Sequence, residues 1–295
     1  MKSPRRPEPF DAAQDRPVEG MRIVITGAGG QLGRSLQEIL TDEQILPLTH
    51  ADGNVTRTQI IDQIASWQPN VVIHAASMTD VDGCERNPDA AFRANALGTR
   101  NVALACQRAD AAMLYVSTDY VFDGTKDSPY TEWDTPNPIN VYGASKLAGE
   151  DYVKQLLDRF WIVRTAWLYR RGHKNFVATI LRLAAERDRL SIVATEVGSP
   201  TYAPDLAAAI SDLIRQSLYG TYHLTNAGHC SRYEFARKIV ELAGLNTIIE
   251  PTDHYPRAAQ PPAYAPLRNF VGAEAGIELR SWEEGLQAYF EDSRC

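Results

Sequence analysis

Arg22-Ile23-Val24-Ile25-Thr26-Gly27-Ala28-Gly29-Gly30-Gln31-Leu32-Gly33 is the stretch on which the reading of the fold turns. Its first five residues make a short, mostly apolar run suited to a buried strand. Glycines 27, 30 and 33 follow with G-x-x-G-x-x-G spacing, and a helix-like pattern runs on to Leu40. Gly27 permits a tight turn, Gly30 lets backbone approach a pyrophosphate, and Gly33 lets helix and strand pack closely. Phosphates placed there meet unpaired N–H groups and the positive end of the helix dipole. Without its flanking strand and helix the glycine pattern would mean only a tight turn; with them it predicts nucleotide binding. Gln31 and Leu32, inside the same turn, are expected on the nucleotide with the glycines.

Working outward, the same alternation recurs. Ile45 to Leu48 reads as a second strand. Thr56 to Trp67 reads as an amphipathic helix with Ile60, Ile61, Ile64 and Trp67 on one face, and Pro69 ends it. Val71 to His74 is a third strand. Ala75 and Ala76 follow it, small enough for a cofactor to lie close, and His74 is expected to be structural. Pro88 to Arg108 reads as one long helix, Met113 to Ser117 as a strand, Asp123 to Asn140 as an ordered loop, and Trp161 to Thr165 as another strand. Strands alternating with helices predict an α/β fold, a Rossmann-like doubly wound parallel sheet. Such sheets bind ligands at the carboxyl ends of their strands, where Thr118 is delivered.

The chemistry is expected just beyond. Tyr142 and Lys146 are four apart, one turn apart on one helix face. A lone phenol is a poor acid–base group near neutrality, with a pKa of about 10, and an ammonium one turn away favours its phenolate. With the Thr118 hydroxyl on the same substrate oxygen, the set suits carbonyl reduction by a nicotinamide.

Composition sets the class. The chain has 295 residues, 44% hydrophobic and 23% charged, with a net charge of −7. That suits a globular enzyme and gives no basic stripe for nucleic acid. Cys84, Cys106, Cys230 and Cys295 lack metal-ligand spacing and are read as free thiols of a cytoplasmic protein; no metal is expected. No apolar run is long enough to span a membrane. Residues 1–20 are rich in Pro and charge and are expected to be a disordered extension. The dinucleotide-binding domain is expected over 21–168. A smaller, mainly substrate-binding lobe, interleaved with the first, is expected over 169–295. It would hold helices at Asn175 to Glu186, Ala203 to Leu218 and Ser231 to Ala243, strands at Leu190 to Val193 and Gly220 to Leu224, and a long loop from Pro251 to Pro266.

From Met21 onward the chain resembles the dTDP-4-dehydrorhamnose reductase family of extended short-chain dehydrogenases. The resemblance is carried by Gly27–Gly33, AASMTDVDGCE (75–85), STDYVFDG (117–124), PINVYGASKLAGE (138–150), RTAWLY (164–169) and GSPTYAPDL (198–206). It implies NADPH-dependent reduction, with NADH also usable, of the C4 keto group of dTDP-4-dehydrorhamnose to dTDP-rhamnose. It implies a catalytic trio of Thr118, Tyr142 and Lys146, the last two also touching the cofactor, and substrate contacts from Asp119, Tyr120 and Trp167. The alternatives are a reductase of another nucleotide-linked 4-keto-6-deoxy sugar, or a non-catalytic NADP-binding subunit like the regulatory subunit of methionine adenosyltransferase. The expected partners are a nucleotide-sugar substrate and, at most, a second copy of the chain.

The chain departs from the family pattern in three places. A common Asp-Gln pair is Thr195-Glu196, an acid near Asn54 is replaced, and a late Arg-Pro-x-x-Ser is Pro261-Pro262-Ala263-Tyr264-Ala265. A sugar diphosphate calls for Arg, Lys or backbone donors, so the expectation passes to Arg257 in the late loop, with Arg268 just beyond. At the end of the second strand Thr49-His50 offers no carboxylate to repel a 2′-phosphate. Steady-state kinetics should therefore show both cofactors working, with NADPH preferred by about tenfold; a strong NADH preference would place Asp52 on the ribose.

Overall fold

A computed structural model of the chain describes residues 20–292, so all but the last residue of the expected extension lies outside the described residues. The first half runs β1 (Arg22–Thr26), α1 (Gln31–Ile39), β2 (Gln44–Leu48), α2 (Gln59–Ser66), β3 (Val71–His74), α3 (Val81–Arg86) and α4 (Pro88–Phe92). A π turn over Arg93–Leu97, α5 (Gly98–Ala109), β4 (Ala112–Thr118), α6 (Val141–Leu156) and β5 (Phe160–Thr165) complete it. Neighbouring strands are parallel, in the order β2-β1-β3-β4-β5. The chain leaves β1 in one direction to β2 and in the other to β3, which opens a crevice at the carboxyl ends of β1 and β3.

Alternation along the strands builds two cores. Ile23, Ile25, Val71, Ile73, Leu114 and Val163 pack on one face with Leu32 and Leu36 of α1. Val24, Val72, Met113 and Ile162 pack on the other with Ile60, Ile64, Val102 and Val153. Helices cover both faces, so the sheet is doubly wound as expected.

Some element boundaries differ from the sequence reading. α2 starts three residues late because Asn54 Oδ1 accepts from the backbone N–H and hydroxyl of Thr56, a local turn that competes with helix. The long helix over 88–108 is interrupted by the π turn around Asn95, and the short helix α3 precedes it. The Asn95 amide donates to Ser145 Oγ and Met78 O, and its oxygen accepts from Ser77 Oγ and the Met78 N–H. No periodicity announces such an anchor.

The second half runs β6 (Leu168–Tyr169), α7 (Phe176–Glu186), β7 (Arg189–Val193), β8 (Val197–Gly198), β9 (Thr201–Tyr202) and α8 (Ala203–Ile214). β10 (Gly220–His223), β11 (Cys230–Ser231), α9 (Arg232–Leu242), β12 (Ile248–Thr252), α10 (Val271–Glu274) and α11 (Trp282–Glu291) follow. β10 pairs with β5 as the sixth strand of the main sheet, and α8 packs beside α1 on the first core. Val271 of α10, with Ile277 and Leu279 after it, also packs on the first core, and the other elements surround a separate core of Tyr169, Val177, Ile180, Phe235, Ile239, Trp282 and Tyr289. Pro251 and Thr252 end a strand paired with β7, so the late loop begins only after them.

Two buried histidines brace the sheet. His74 Nδ1 lies 2.6 Å from Thr26 Oγ1 and its Nε2 3.1 Å from Thr99 Oγ1; His223 Nδ1 lies 3.1 Å from Tyr130 O. Burial lowers the pKa of each to about 3, assisted at His74 by Lys146 and at His223 by Arg164. Between that value and the usual 6.5 only the unfolded chain binds the proton, so each histidine lowers stability as pH falls. The loss at pH 5 is about 2 kcal/mol per histidine. His74→Gln should shrink the difference between urea-unfolding free energies at pH 7 and pH 5 by that amount; an unchanged difference would show that His74 already titrates normally.

Candidate active site

α6 begins at Val141 because Asn140 caps it, its Oδ1 accepting from the Gly143 N–H at 2.9 Å. A side chain at Gly143 would fall on the Tyr120 carbonyl oxygen, so this glycine seats the first turn of α6 against Tyr120. Tyr142 and Lys146 then project from one face towards the end of β4. The Tyr142 and Tyr120 rings meet edge to face at 5.4 Å. Lys146 is buried; its ammonium donates to Val116 O at 2.7 Å and lies 4.2 Å from the Tyr115 ring centroid. Thr118 ends β4 and its hydroxyl donates to Asp119 Oδ1 at 2.9 Å.

The cleft over these groups has a volume of about 850 Å³. Gly27, Gly30, Gln31, Leu32 and Gly33 line it from β1 and α1, and Ala75 and Ala76 from the end of β3. Thr118, Asp119, Tyr120, Tyr142, Lys146 and Trp167 line it too. Thus every candidate residue but Arg257 and Arg268 meets in a single space at the crevice of the sheet. Neither is among the lining residues: the Arg268 guanidinium lies over the Phe270 ring, and that of Arg257 is paired with Glu196. The family departure at Glu196 supplies the carboxylate that holds it.

The cofactor end has an observable shape. α1 starts at Gly30 with no side chain capping it, which leaves its first N–H groups for a ligand. Asp52 folds back on Thr49, its carboxylate accepting from the Thr49 hydroxyl at 2.5 Å and the Thr49 N–H at 3.2 Å. Asp52 does not itself line the cleft, whereas Thr49, His50 and Asn54 do. Thr165 Oγ1 lies buried in the cleft wall without a hydrogen-bond partner.

Electrostatics corrects one expectation. The Lys146 ammonium was expected to pull the Tyr142 phenol down, but burial dominates. Desolvation pushes Tyr142 well up, with the neighbouring Thr118 hydroxyl acting the other way. Desolvation also lowers Lys146 to about 7, against the pull of Glu150. Asp119 is pushed up to about 7 by burial, with Thr118 and Arg232 acting the other way. Desolvation by the packed walls makes each charge costly, so each group moves towards its neutral form.

Sequence reasoning missed Arg232. It is the first residue of α9, and its guanidinium lies 3.5 Å from the Trp167 ring centroid inside the cleft. Trp167 holds a left-handed φ of 42°, and Gly198 makes room for its indole; a Cβ there would sit 2.5 Å from the ring. His173 and Lys174 also line the cleft. The Ser231 cap announces the helix, but nothing local says where its first side chain ends.

The sequence from 21 to 295 matches the family model described as the RmlD substrate binding domain. It is 39% identical to the dTDP-4-dehydrorhamnose reductase of Mycolicibacterium smegmatis, covering 97% of this chain and 90% of that protein. It is 38% identical to the spore coat polysaccharide biosynthesis protein SpsK of Bacillus subtilis, covering 92% and 97%. Its structure resembles that of the Bacillus anthracis dTDP-4-dehydrorhamnose reductase in complex with NADP, with a TM-score of 0.90 and 43% identity over 92% of this chain and 99% of that one.

The glycine turn gives a direct check on the cofactor end. A Cβ at Gly33 would fall on the Gly27 carbonyl oxygen and within 2.6 Å of Ala28 Cα, both backbone. Gly33→Ala should cost about 1–3 kcal/mol of stability by overpacking and weaken dinucleotide binding, as read by urea unfolding and fluorescence titration. A variant with unchanged affinity would place the dinucleotide elsewhere.

Proposed function

The chain belongs to the dTDP-4-dehydrorhamnose reductase family, and from that premise we propose that it reduces the C4 keto group of dTDP-4-dehydrorhamnose to give dTDP-rhamnose with NADPH. The observation that carries this reading is the meeting of Thr118, Tyr142 and Lys146 with the glycine turn in one cleft. The cradle suits a dinucleotide: an uncapped helix N-terminus, two alanines at the end of β3 and an unpartnered Thr165 hydroxyl. Gly27 to Gly33, Ala75, Ala76, Tyr142 and Lys146 would hold NADPH, which when bound supplies the hydride.

The chain's own residues do the rest. Tyr142, half-buried and protonated at neutral pH, donates its proton to the sugar oxygen as charge develops there. Thr118, turning its hydroxyl proton from Asp119, donates to the same oxygen and stabilises it. Lys146, positioned by the Val116 carbonyl, lowers the cost of the phenolate left behind and holds the nicotinamide ribose. Asp119 and Tyr120 receive the sugar hydroxyls and Trp167 forms an apolar wall. Free, buried thiols at Cys84, Cys106 and Cys230 suit a reducing cytoplasm. No helix among the described residues is long and apolar enough to cross a membrane.

The test is turnover of dTDP-4-dehydrorhamnose, made in situ, followed as loss of nicotinamide absorbance. Tyr142→Phe removes the proton donor and keeps the ring. It should lower kcat by about 100-fold or more while NADPH binding is kept. Near-normal turnover by this variant would refute the mechanism. NADPH binding by wild type without turnover would favour the non-catalytic alternative.

A further inference from the structure

A nucleoside-diphosphate sugar brings two phosphates into a cleft whose chemistry so far concerns only the sugar ring and the cofactor. The described lysines and arginines lining the cleft are Lys146, Lys174 and Arg232. Lys146 is committed to the Val116 carbonyl. Lys174 precedes Asn175, whose amide donates to Gln31 Oε1 at 3.0 Å, so it stands at the glycine-turn end. Arg232 alone of the three stands at the other end, over Trp167 and beside Asp119 and Tyr120.

Its surroundings leave its charge available. Glu196, the nearest paired carboxylate, gives one oxygen to Arg257, and its other oxygen lies 3.8 Å from Arg232 Nε, beyond a hydrogen bond. One carboxylate therefore faces two guanidinium groups. Asp119 is the other acid nearby, and it accepts from the Thr118 hydroxyl. Arg232 is only 19% exposed, so its charge is mostly desolvated and incompletely paired, a state that an incoming anion relieves. It is also held rigidly. The Arg232 N–H donates to Glu196 O at 3.0 Å, and the reciprocal Ser231–Glu234 capping box fixes the first turn of α9. A planar fork in a fixed position suits bidentate phosphate recognition.

We propose that Arg232 is the substrate-diphosphate contact of this cleft and sets its preference for nucleoside-diphosphate over unphosphorylated sugars, with Arg257 acting behind it by occupying Glu196. The proposal takes its ligand class from the reductase reading above. It replaces the expectation that Arg257 itself touches the phosphates.

The experiment compares wild type with Arg232→Met, Arg232→Lys and Glu196→Gln by calorimetric binding of dTDP and of thymidine, with NADPH binding and turnover in parallel. Arg232→Met should weaken dTDP binding and raise the sugar-nucleotide KM by about 10-fold to 100-fold, the range for hydrogen bonds to a charged group. Thymidine and NADPH binding should not change, and Arg232→Lys should recover part of the loss. Glu196→Gln removes the competing carboxylate and should tighten dTDP binding severalfold, a gain that a packing role would not produce and that is readable even if Arg232→Met unfolds. Equal losses for dTDP and thymidine would mean that Arg232 only packs Trp167, and would overturn the proposal. So would unchanged dTDP affinity in Arg232→Met, or dTDP binding by Glu196→Gln no tighter than wild type. Arg232-dependent dTDP binding without turnover of the keto sugar by wild type would instead sink the reductase reading and leave this contact standing.

Discussion

The carboxylate of Glu150, with no exposure to solvent, accepts from Ser117 Oγ at 2.6 Å, from Arg164 Nε at 2.9 Å and from Arg164 Nη2 at 2.7 Å. Ser117 is on β4, Arg164 on β5 and Glu150 on α6, so one charged group ties the helix to both strands. A buried ion pair adds little net stability, but removing one partner strands the other's charge. What the pair fixes is position. Tyr142 and Lys146 lie on the same helix face, two turns and one turn before Glu150, and Thr118 follows Ser117 directly. The reacting groups inherit their spacing from this anchor.

Burial then sets their electrostatics. The same dry surroundings raise Tyr142 and Asp119 and lower Lys146. A phenol with a raised pKa stays protonated but gives up its proton less readily, so charge that develops in the cleft, acting at low dielectric where it counts for more than in water, has to offset that cost. Arg232 shares this logic at the Trp167 end of the cleft, with its cation mostly out of solvent and Glu196 divided between two guanidinium groups.

The second half of the chain does not stand apart. α8 and β10 return to the main sheet between the segments that form the smaller core. Trp167 leaves β5 in a left-handed conformation and passes directly into β6. β6 pairs with β9, and the Thr201 N–H donates to Trp167 O. Trp167, the proposed sugar wall, is thus attached to the sheet that carries the proposed catalytic groups.

The sequence alone determined what depends on near neighbours. Short apolar runs gave the strands, glycine spacing gave the turn before α1, and Tyr-x-x-x-Lys gave two side chains on one helix face, because each is set within a few residues. The motifs also named the glycine turn, the end of β3 and the Thr118, Tyr142 and Lys146 trio that meet in the cleft, but not the wall from Thr49 to Thr56, nor Ala94, nor Arg232. Only the tertiary structure decided contacts between distant segments. It placed Gly220–His223 in the first sheet, opened the helix at Asn95 to reach Ser145 and Met78, drew Arg257 onto Glu196, and brought Arg232 over Trp167, which lies 65 positions earlier in the chain. It also reversed the sign of the Tyr142 shift. Desolvation depends on everything packed around a group, and no local spacing records that.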